Sequence, residues 1–484
     1  MDSHDNDSEY INETETGSYE TGSESYESDI NNTFKKKIKF QCNEDDYSDI
    51  MIDIFEELDY IVNHNIIKLS MPDFYKTIVN EITYLFYEQW LDVGFCNEDD
   101  YHDIEELTSS ITELYFEFCG IPKRSIAYLS IEPGIYSDGY AETMTIRIDE
   151  LRVMPQPIQR TKEWYEFRYN LITASNLWKV FASQSQQNSL IYEKCKPLVI
   201  HDSVTNGSCN TESTLHWGVK YEPVSILVYE HMFHTQIEDF GCIPHTVYSF
   251  IGASPDGINV DIGCPERYGR MLEIKNICNR EITGIPKEEY WIQTQIQMEV
   301  CNLNECDFFE TRFKEFDSED AFYNNVDKHD YKGIILHFVQ RTAGYGTDHP
   351  TNIPYNNSPI YKYMPIDSNY KKEDINQWIS LQKDSMRSIY VLYKTIYWYL
   401  EEYSCVLIPR NTQWFQCAVP KIRDLWNIVV KERVDGYEHR ASKKRINKSD
   451  IKVMDGEGTS QTICNMPSTN SICLIKLDEE GNPL

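Results

Sequence analysis

The residues best suited to chemistry lie between positions 250 and 276. Ala253-Ser254-Pro255-Asp256-Gly257 closes an apolar run at Phe250 and Ile251, and it reads as a hairpin turn with glycine in the permissive place. Met271-Leu272-Glu273-Ile274-Lys275 follows as a strand. Side chains alternate along a strand, so Glu273 and Lys275 share one face while Leu272 and Ile274 take the other, with Ile277, beyond the strand, expected on their side. Asp256, Glu273 and an ammonium gathered at one end of a sheet suit Mg²⁺, a hard cation that takes oxygen ligands and keeps several waters. A neighbouring lysine orients an attacking water and offsets negative charge that builds at a phosphoryl centre. Surface strands also carry Asp…Glu-x-Lys, so the flanking segments have to decide.

Three of them add weight. Trp217-Gly218-Val219-Lys220-Tyr221-Glu222-Pro223 places a carboxylate, Glu222, near the start of an apolar-periodic helix. A second helix carries Tyr290, Gln293 and Gln297 on one face, with Ile292, Ile296, Val300 and Leu303 as its buried stripe. Uncharged amides beside a cation can hold a phosphate or a ligand water without displacing the metal. Upstream, Arg160-Thr161-Lys162-Glu163-Trp164-Tyr165-Glu166-Phe167-Arg168 and Ile172-Thr173-Ala174-Ser175 supply a guanidinium, hydroxyls, an indole and a helix N-terminus at Ser175. Those are the ingredients of an anion pocket. Each also has a plainer role: Trp164 as core, Ser175 as helix cap, Arg168 as a surface partner of Glu163 or Glu166.

The elements around these residues define an α/β (α+β) core. From Gln159 onward helices and short β runs alternate, which predicts a mixed sheet flanked by helices, with further helices through residue 438. Lys371–Tyr403 reads as one long helix with a wide apolar face, either core or oligomer interface. Residues 35–120 read as a helical accessory domain containing a repeat: Cys42-Asn43-Glu44-Asp45-Asp46-Tyr47-Ser48-Asp49-Ile50 returns as Cys96-Asn97-Glu98-Asp99-Asp100-Tyr101-His102-Asp103-Ile104. Its acids suit helix N-termini and lack the EF-hand glycine, so capping is expected rather than calcium. Residues 121–158, rich in Pro and Gly, read as a linker with one short strand at Thr143–Ile148.

Charge is unevenly spread. The 484 residues carry a formal net charge of −33, and residues 1–150 hold 35 acidic against 9 basic side chains. A generally basic nucleic-acid coat is excluded, whereas a local basic channel in the second part is not. Residues 1–34 have acids, no Lys or Arg and almost no aliphatic side chains, so a disordered acidic tail is expected there. Residues 439–484 read as a tail, basic and then polar. No apolar run approaches the roughly 18 residues of a membrane span, and the N-terminus resembles no signal or transit peptide. The 14 cysteines therefore read as reduced thiols of an intracellular, cytoplasmic protein that is not secreted.

The ordered string E-W-x-x-x-R-x-x-x-I-T-A-S, W-G-x-x-Y-E-P, S-P-D-G, L-E-I-K and Y-x-x-Q-x-Q-x-x-M closely resembles the YqaJ-type viral recombinases. These are the phage-lambda-exonuclease-like branch of the PD-(D/E)xK nuclease superfamily. The likeness spans about Gln159–Phe316, and the Asn-, Ile-, Tyr- and Asp-rich composition resembles that of a large, AT-biased DNA virus such as a giant amoebal virus.

The resemblance implies a restriction-endonuclease-like core and a set of roles. Asp256, Glu273 and the backbone carbonyl of Ile274 are expected to bind metal, with Lys275 as the catalytic lysine. Glu222 is expected to complete the metal site and Gln293 to lie beside it. Arg168 and Ser175, with Trp164 and Thr173 nearby, are expected to receive the 5′-phosphate of a DNA end. The implied activity is Mg²⁺- or Mn²⁺-dependent 5′→3′ hydrolysis of double-stranded DNA, with two ions, for recombination or repair. An endonuclease or defence-type nuclease and a non-catalytic scaffold are the alternatives. Homo-oligomers, dimeric or trimeric, are implied, with Lys371–Tyr403 as a candidate interface. The acidic N-terminal region is expected to recruit a recombination or helicase partner or to compete with DNA for the channel. Neither an iron–sulfur cluster nor a structural zinc is expected, since the cysteines are scattered and His231-x-x-His234 lacks nearby partners.

Overall fold

The computed structural model describes residues 44–130, 139–159, 161–199, 210–324, 329–341, 358–368 and 370–441. The acidic tail, the Lys35–Lys39 run, Arg160 and the basic-then-polar tail from residue 442 lie outside them. The chain divides into two units, one ending at Asn65 and resuming over Asp73–Gly120, the other comprising Ile66–Pro72 and everything from Ile121.

The first unit contains helices α1 (Glu44–Asn65), α2 (Phe74–Asp92) and α3 (Tyr101–Phe118). The two copies of the repeat lead into α1 and α3. Ile50, Ile54 and Leu58 of α1 are buried, and their counterparts in α3 are Ile104, Thr108 and Thr112, buried as well. A buried hydroxyl needs a partner. Thr108 and Thr112 donate one turn back, to the carbonyls of Ile104 at 2.9 Å and Thr108 at 2.7 Å, and Thr108 also meets Thr83 Oγ1 of α2 at 2.6 Å. In the second copy the backbone N–H of Asn97 donates to Asp100 at 2.8 Å, a cap of the kind expected of these acids.

The second unit is a mixed α/β fold built on an eight-stranded sheet. Its strands are β1 (Ile126–Ala127), β3 (Ile237–Glu238), β6 (Gly257–Asn259), β7 (Met271–Asn276), β8 (Glu305–Glu315), β9 (Lys332–Gln340), β10 (Ile360–Tyr363) and β11 (Tyr390–Pro409). The order is β10-β9-β11-β8-β7-β6-β3, with β1 also on β11; β7 and β8 run parallel and the other pairs antiparallel. A small second sheet has the order β2 (Ile172–Thr173), β5 (Ile251–Ala253), β4 (Ile243–Pro244). Around them lie α4 (Tyr140–Val153), α5 (Lys162–Tyr169), α6 (Ala174–Leu177), α7 (Gln184–Cys195), α8 (Thr214–Phe233), α9 (Glu288–Cys301), α10 (Glu319–Asn324), α11 (Lys372–Met386) and α12 (Thr412–Asp435).

One face of the large sheet is covered by α8. Tyr221, Val224, Val228 and Tyr229 pack on Leu272, Ile274, Phe309, Phe313 and Trp398. Beneath this core a fully buried carboxylate, Asp307, accepts from the Tyr229 hydroxyl at 2.6 Å and pairs with Arg267 and Arg270. A buried charge is tolerable only when paired in this way.

Several sequence expectations change. The segment Thr143–Ile148 is not a strand but the middle of α4, because Met144, Ile148 and Leu151 recur at helical spacing and all three are buried. Its β-branched alternation imitated a strand; good helix formers and the i, i+3 pairs Arg147–Glu150 and Asp149–Arg152 support the helix. The expected long helix Lys371–Tyr403 splits. Only Lys372–Met386 is helical, and the aromatic, β-branched run from Tyr390 becomes the 20-residue strand β11, paired with both β8 and β9. Its buried side chains, among them Ile396, Trp398 and Leu400, join the core. Residues 253–257 are not a hairpin turn: β5 and β6 belong to different sheets, and Ser254-Pro255-Asp256 passes between them. Gly257 is needed for close approach rather than turning, since a Cβ there would lie 2.1 Å from Ile237 Cγ2. Finally, α8 starts at Thr214, so Glu222 is mid-helix, next to the internal Pro223.

Candidate active site

The geometry starts from strand register. Gly257 pairs with Leu272 and Ile258 with Met271, and counting one residue back sets Asp256 across from Glu273 where the β6–β7 ladder ends. At that point Asp256 Oδ2 takes over as acceptor, receiving the backbone N–H of Ile274 at 2.7 Å. In a strand, the N–H and C=O of one residue point to the same side, so the Ile274 carbonyl is directed toward the same edge.

Glu273, 1% exposed, is held by three donors. Its Oε1 pairs with the Lys275 ammonium and accepts from Gln293 Nε2 at 2.7 Å; its Oε2 accepts from Gln297 Nε2 at 2.7 Å. Gln293 and Gln297 stand four residues apart on α9, one turn of helix, and so reach the same carboxylate. Gln297 also donates to the Ser254 carbonyl at 3.1 Å and joins the two limbs of the site. Gln295 points elsewhere: its amide donates to the Pro409 carbonyl at 2.9 Å and accepts from Asn411 N at 2.7 Å, anchoring α9 at the β11–α12 junction.

Electrostatics follow from burial. Desolvation raises the Asp256 carboxyl well above the usual carboxylate range; Glu273 and Glu222 add to this, while Lys275 and the Ile274 N–H oppose it. For Lys275 burial disfavours the charge, but the Coulombic pull of Glu273 and Asp256 prevails and its pKa is raised. The ammonium also lies 5.0 Å from the centre of the Tyr290 ring, which stacks on Phe308.

Glu222 is exposed on α8. Asn276, the last residue of β7, ties that helix down: its Oδ1 accepts from Ser225 Oγ and Thr311 Oγ1, both at 2.8 Å, and its Nδ2 donates to the Gly218 carbonyl at 3.4 Å. Gly218, Glu222 and Ser225 lie on one helical stripe, so Asn276 grips α8 on either side of Glu222. Among the described residues no three His, Cys, Asp or Glu side chains assemble as a metal-holding group. The Glu222 charge is felt at Asp256, where it helps to raise the carboxyl.

The donor set still fits a hard divalent cation. A carboxylate offers about four lone-pair sites, and three donors leave one open on Glu273; Asp256 and the Ile274 carbonyl add oxygens on the same edge. The buried Gln297 Oε1 has no hydrogen-bond partner, which a metal-bound water would supply. His231 and His234 close α8 with rings 6.4 Å apart, His234 in the left-handed conformation that ends the helix.

Arg168, in the last turn of α5, sits with its guanidinium 4.5 Å from the centre of the Trp164 ring. The Trp164 indole N–H is buried without a partner. Arg168 also reaches the buried Cys242, whose thiol is pushed up by burial and pulled back by Arg168 and by a hydrogen bond with Ser254. Ser254 is two residues before Asp256, so the guanidinium and the carboxylate loop share a neighbour. Thr173 pairs with Gly252 of β5, and its Oγ1 lies 3.3 Å from Ser175 Oγ. Thr173 is buried just ahead of α6, which packs against α9; Ser175 is exposed in the first turn.

Two features were absent from the sequence-derived set of site residues. Gln297 lies on the amide face expected to hold a phosphate or a ligand water but is not among the named site residues, and its spacing of four from Gln293 is the signal that could have added it. Asn276 gave no signal, because its partners Ser225 and Thr311 are remote in sequence.

Residues 163–304 match the family model of the YqaJ-like viral recombinase domain. A relative from Acanthamoeba polyphaga mimivirus, "Uncharacterized protein R354", is 27% identical over 323 residues, which is 61% of this chain and 57% of the relative. The chain thus spans just over half the length of that relative. Two crystal structures of the alkaline exonuclease LHK-Exo from Laribacter hongkongensis, one of them in complex with dAMP, align at 17% identity over 56% of this chain and 94% of theirs, with a TM-score of 0.31. No helix among the described residues is long and apolar enough to cross a membrane.

Proposed function

We propose that the protein is a Mg²⁺- or Mn²⁺-dependent deoxyribonuclease that resects duplex DNA ends in the 5′→3′ direction, a reading supported by the match of residues 163–304 to the YqaJ-like viral recombinase domain. The observation that supports this most is the facing of Asp256 and Glu273 across the end of the β6–β7 ladder, with Lys275 on the same carboxylate. Asp256, Glu273 and the Ile274 carbonyl would hold the metal, two ions being the number the family resemblance implies. Glu222 would complete the metal site, and Mg²⁺, which dehydrates reluctantly, would keep several waters there. Bound there, the cation supplies an acidified water and Lewis acidity toward a phosphate oxygen.

The protein's own groups do the rest. Gln293 and Gln297 hold the Glu273 carboxylate in one orientation. Lys275 offers N–H groups to the attacking water or to a non-bridging phosphate oxygen, where negative charge develops. Arg168, flattened against Trp164, receives a terminal phosphate, with Ser175 and Thr173 close to the same small sheet. Such a pocket beside the carboxylates places the first internucleotide linkage at the site of hydrolysis, and this is the basis of end-dependent polarity.

The test is cleavage of linear, closed circular and 5′-dephosphorylated duplex DNA with Mg²⁺, Mn²⁺ or chelator. Expected are metal-dependent release of nucleotides from linear 5′-phosphorylated DNA and loss of that release in Lys275→Ala. Equal cutting of closed circles would replace the exonuclease reading with the endonuclease one. Absence of cleavage in either metal would leave a scaffold.

A further inference from the structure

The phosphate-binding reading of Arg168 leaves open what holds that side chain in place. It projects from the last turn of α5, a helix of only eight residues, whose final carbonyls have no donors within the helix. Two cations from distant segments fill those places. The Lys194 ammonium, from the end of α7, donates to the Arg168 carbonyl at 2.9 Å. Arg433, near the end of α12, donates through Nη2 to the Tyr169 carbonyl at 2.7 Å. Its Nε donates to the Lys194 carbonyl at 2.9 Å, so one planar guanidinium closes the ends of both α5 and α7. Its flat face lies 4.1 Å from the centre of the Tyr169 ring and 5.3 Å from that of Trp426, which fixes its plane.

The arrangement brings three positive side chains together in a chain whose net charge is −33. The cost shows at Lys194. Burial first, then the nearby Arg168 and Arg433 charges, against a partial offset from Glu193, lower its pKa to about 8. Capping alone would be served by any one donor at each helix end. A cluster of like charges is relieved by an anion, and Arg168 is the member whose side chain turns toward Cys242 and the Ser254 loop.

We infer that Arg433 and Lys194 are positioning residues for Arg168, so that recognition of a 5′-phosphorylated DNA end depends on the C-terminal helix α12, outside the matched residues 163–304. This rests on the phosphate-pocket reading of Arg168. Neither residue touches the phosphate; together they set the turn from which Arg168 reaches it.

The experiment uses the full chain and steady-state digestion of linear duplexes that differ only in a 5′-phosphate or 5′-hydroxyl. The variants are Arg433→Ala, Arg433→Lys and Lys194→Met, each checked by its urea midpoint. For Arg433→Ala the expected result is a KM for the phosphorylated duplex raised about tenfold, with kcat within about twofold. The hydroxyl duplex should be almost unaffected, so the preference collapses. Arg433→Lys, which can cap one helix end and not both, should fall between. Should Arg433→Ala prove unstable, Arg433→Lys and Lys194→Met carry the same comparison. Equal losses on both duplexes, or an unchanged preference in folded variants, overturns the inference and leaves the pocket reading intact. A wild-type enzyme indifferent to the 5′-phosphate overturns both.

Discussion

The Gln297 carboxamide donates to Oε2 of Glu273 at 2.7 Å, from a side chain with no solvent exposure. Through its second bond, to the Ser254 carbonyl, the orientation of Glu273 is coupled to the loop that carries Asp256. Removing it frees a buried carboxylate oxygen and unlinks the two limbs. Partners of metal ligands typically account for about 10–100-fold in metal affinity or activity. Gln297→Ala is expected to weaken Mn²⁺ binding within that range, measured by calorimetry, and to lower nuclease activity in parallel. Unchanged Mn²⁺ affinity would count against the coupling.

Asn276 predicts a different signature. Ser225 and Thr311 are fully buried and both donate to its Oδ1. Asn276→Ala leaves the Ser225 and Thr311 hydroxyls, 3.0 Å apart, with only each other, so one buried O–H loses its acceptor at a cost of about 1–3 kcal/mol, and it loosens the grip on α8 around Glu222. A lower urea midpoint is expected together with reduced activity. Asn276→Asp, which keeps the acceptor, should recover most of the stability. If Asp and Ala variants unfold alike, the acceptor is not what matters.

Gly257 offers a steric test. An added Cβ would meet Ile237 Cγ2 at 2.1 Å, a contact that the β3–β6 pairing cannot accommodate unshifted. Gly257→Ala should destabilise by about 1–3 kcal/mol, the usual cost of overpacking. Removing the offending methyl in Ile237→Ala should make the double variant more stable than additivity allows. A double-mutant cycle with no coupling would exclude the clash.

The pH dependence of stability has a defined sign at Lys194. Its pKa of about 8 in the folded protein lies below that of an exposed lysine, so between the two values the unfolded chain binds more protons. Stability contributed by this site therefore rises with pH from about 8 to about 10.4. Below pH 8 both states are protonated and the full burden of the buried charge remains. Urea unfolding of wild type and Lys194→Met across this range should show the wild type gaining relative to the variant. A flat difference would remove the buried-charge assignment.

Local pattern carried much of the site. Alternation along Met271–Lys275 put Glu273 and Lys275 on one face, and helical periodicity put Gln293 and Gln297 on another; both depend on fixed backbone repeats that sequence displays directly. The duplicated acidic segment marked two helix starts for the same reason. Pattern failed where two backbones suit the same residues. Thr143–Ile148 alternates like a strand yet buries Met144, Ile148 and Leu151 as a helix, while Tyr390–Tyr403 has helix-compatible spacing yet forms β11, because β8 and β9 provide edges for a long aromatic strand.

The sequence by itself therefore determined which groups are available: two carboxylates, a lysine, paired amides and an arginine above an indole. Only the tertiary structure decided how they meet. Asp256 faces Glu273 because two strands pair in one register, and the end of the helix that carries Arg168 is capped by Arg433, whose partner carbonyl at Tyr169 lies 264 positions earlier. Register and long-range capping arise from contacts between segments far apart in sequence, where no short-range periodicity can record them.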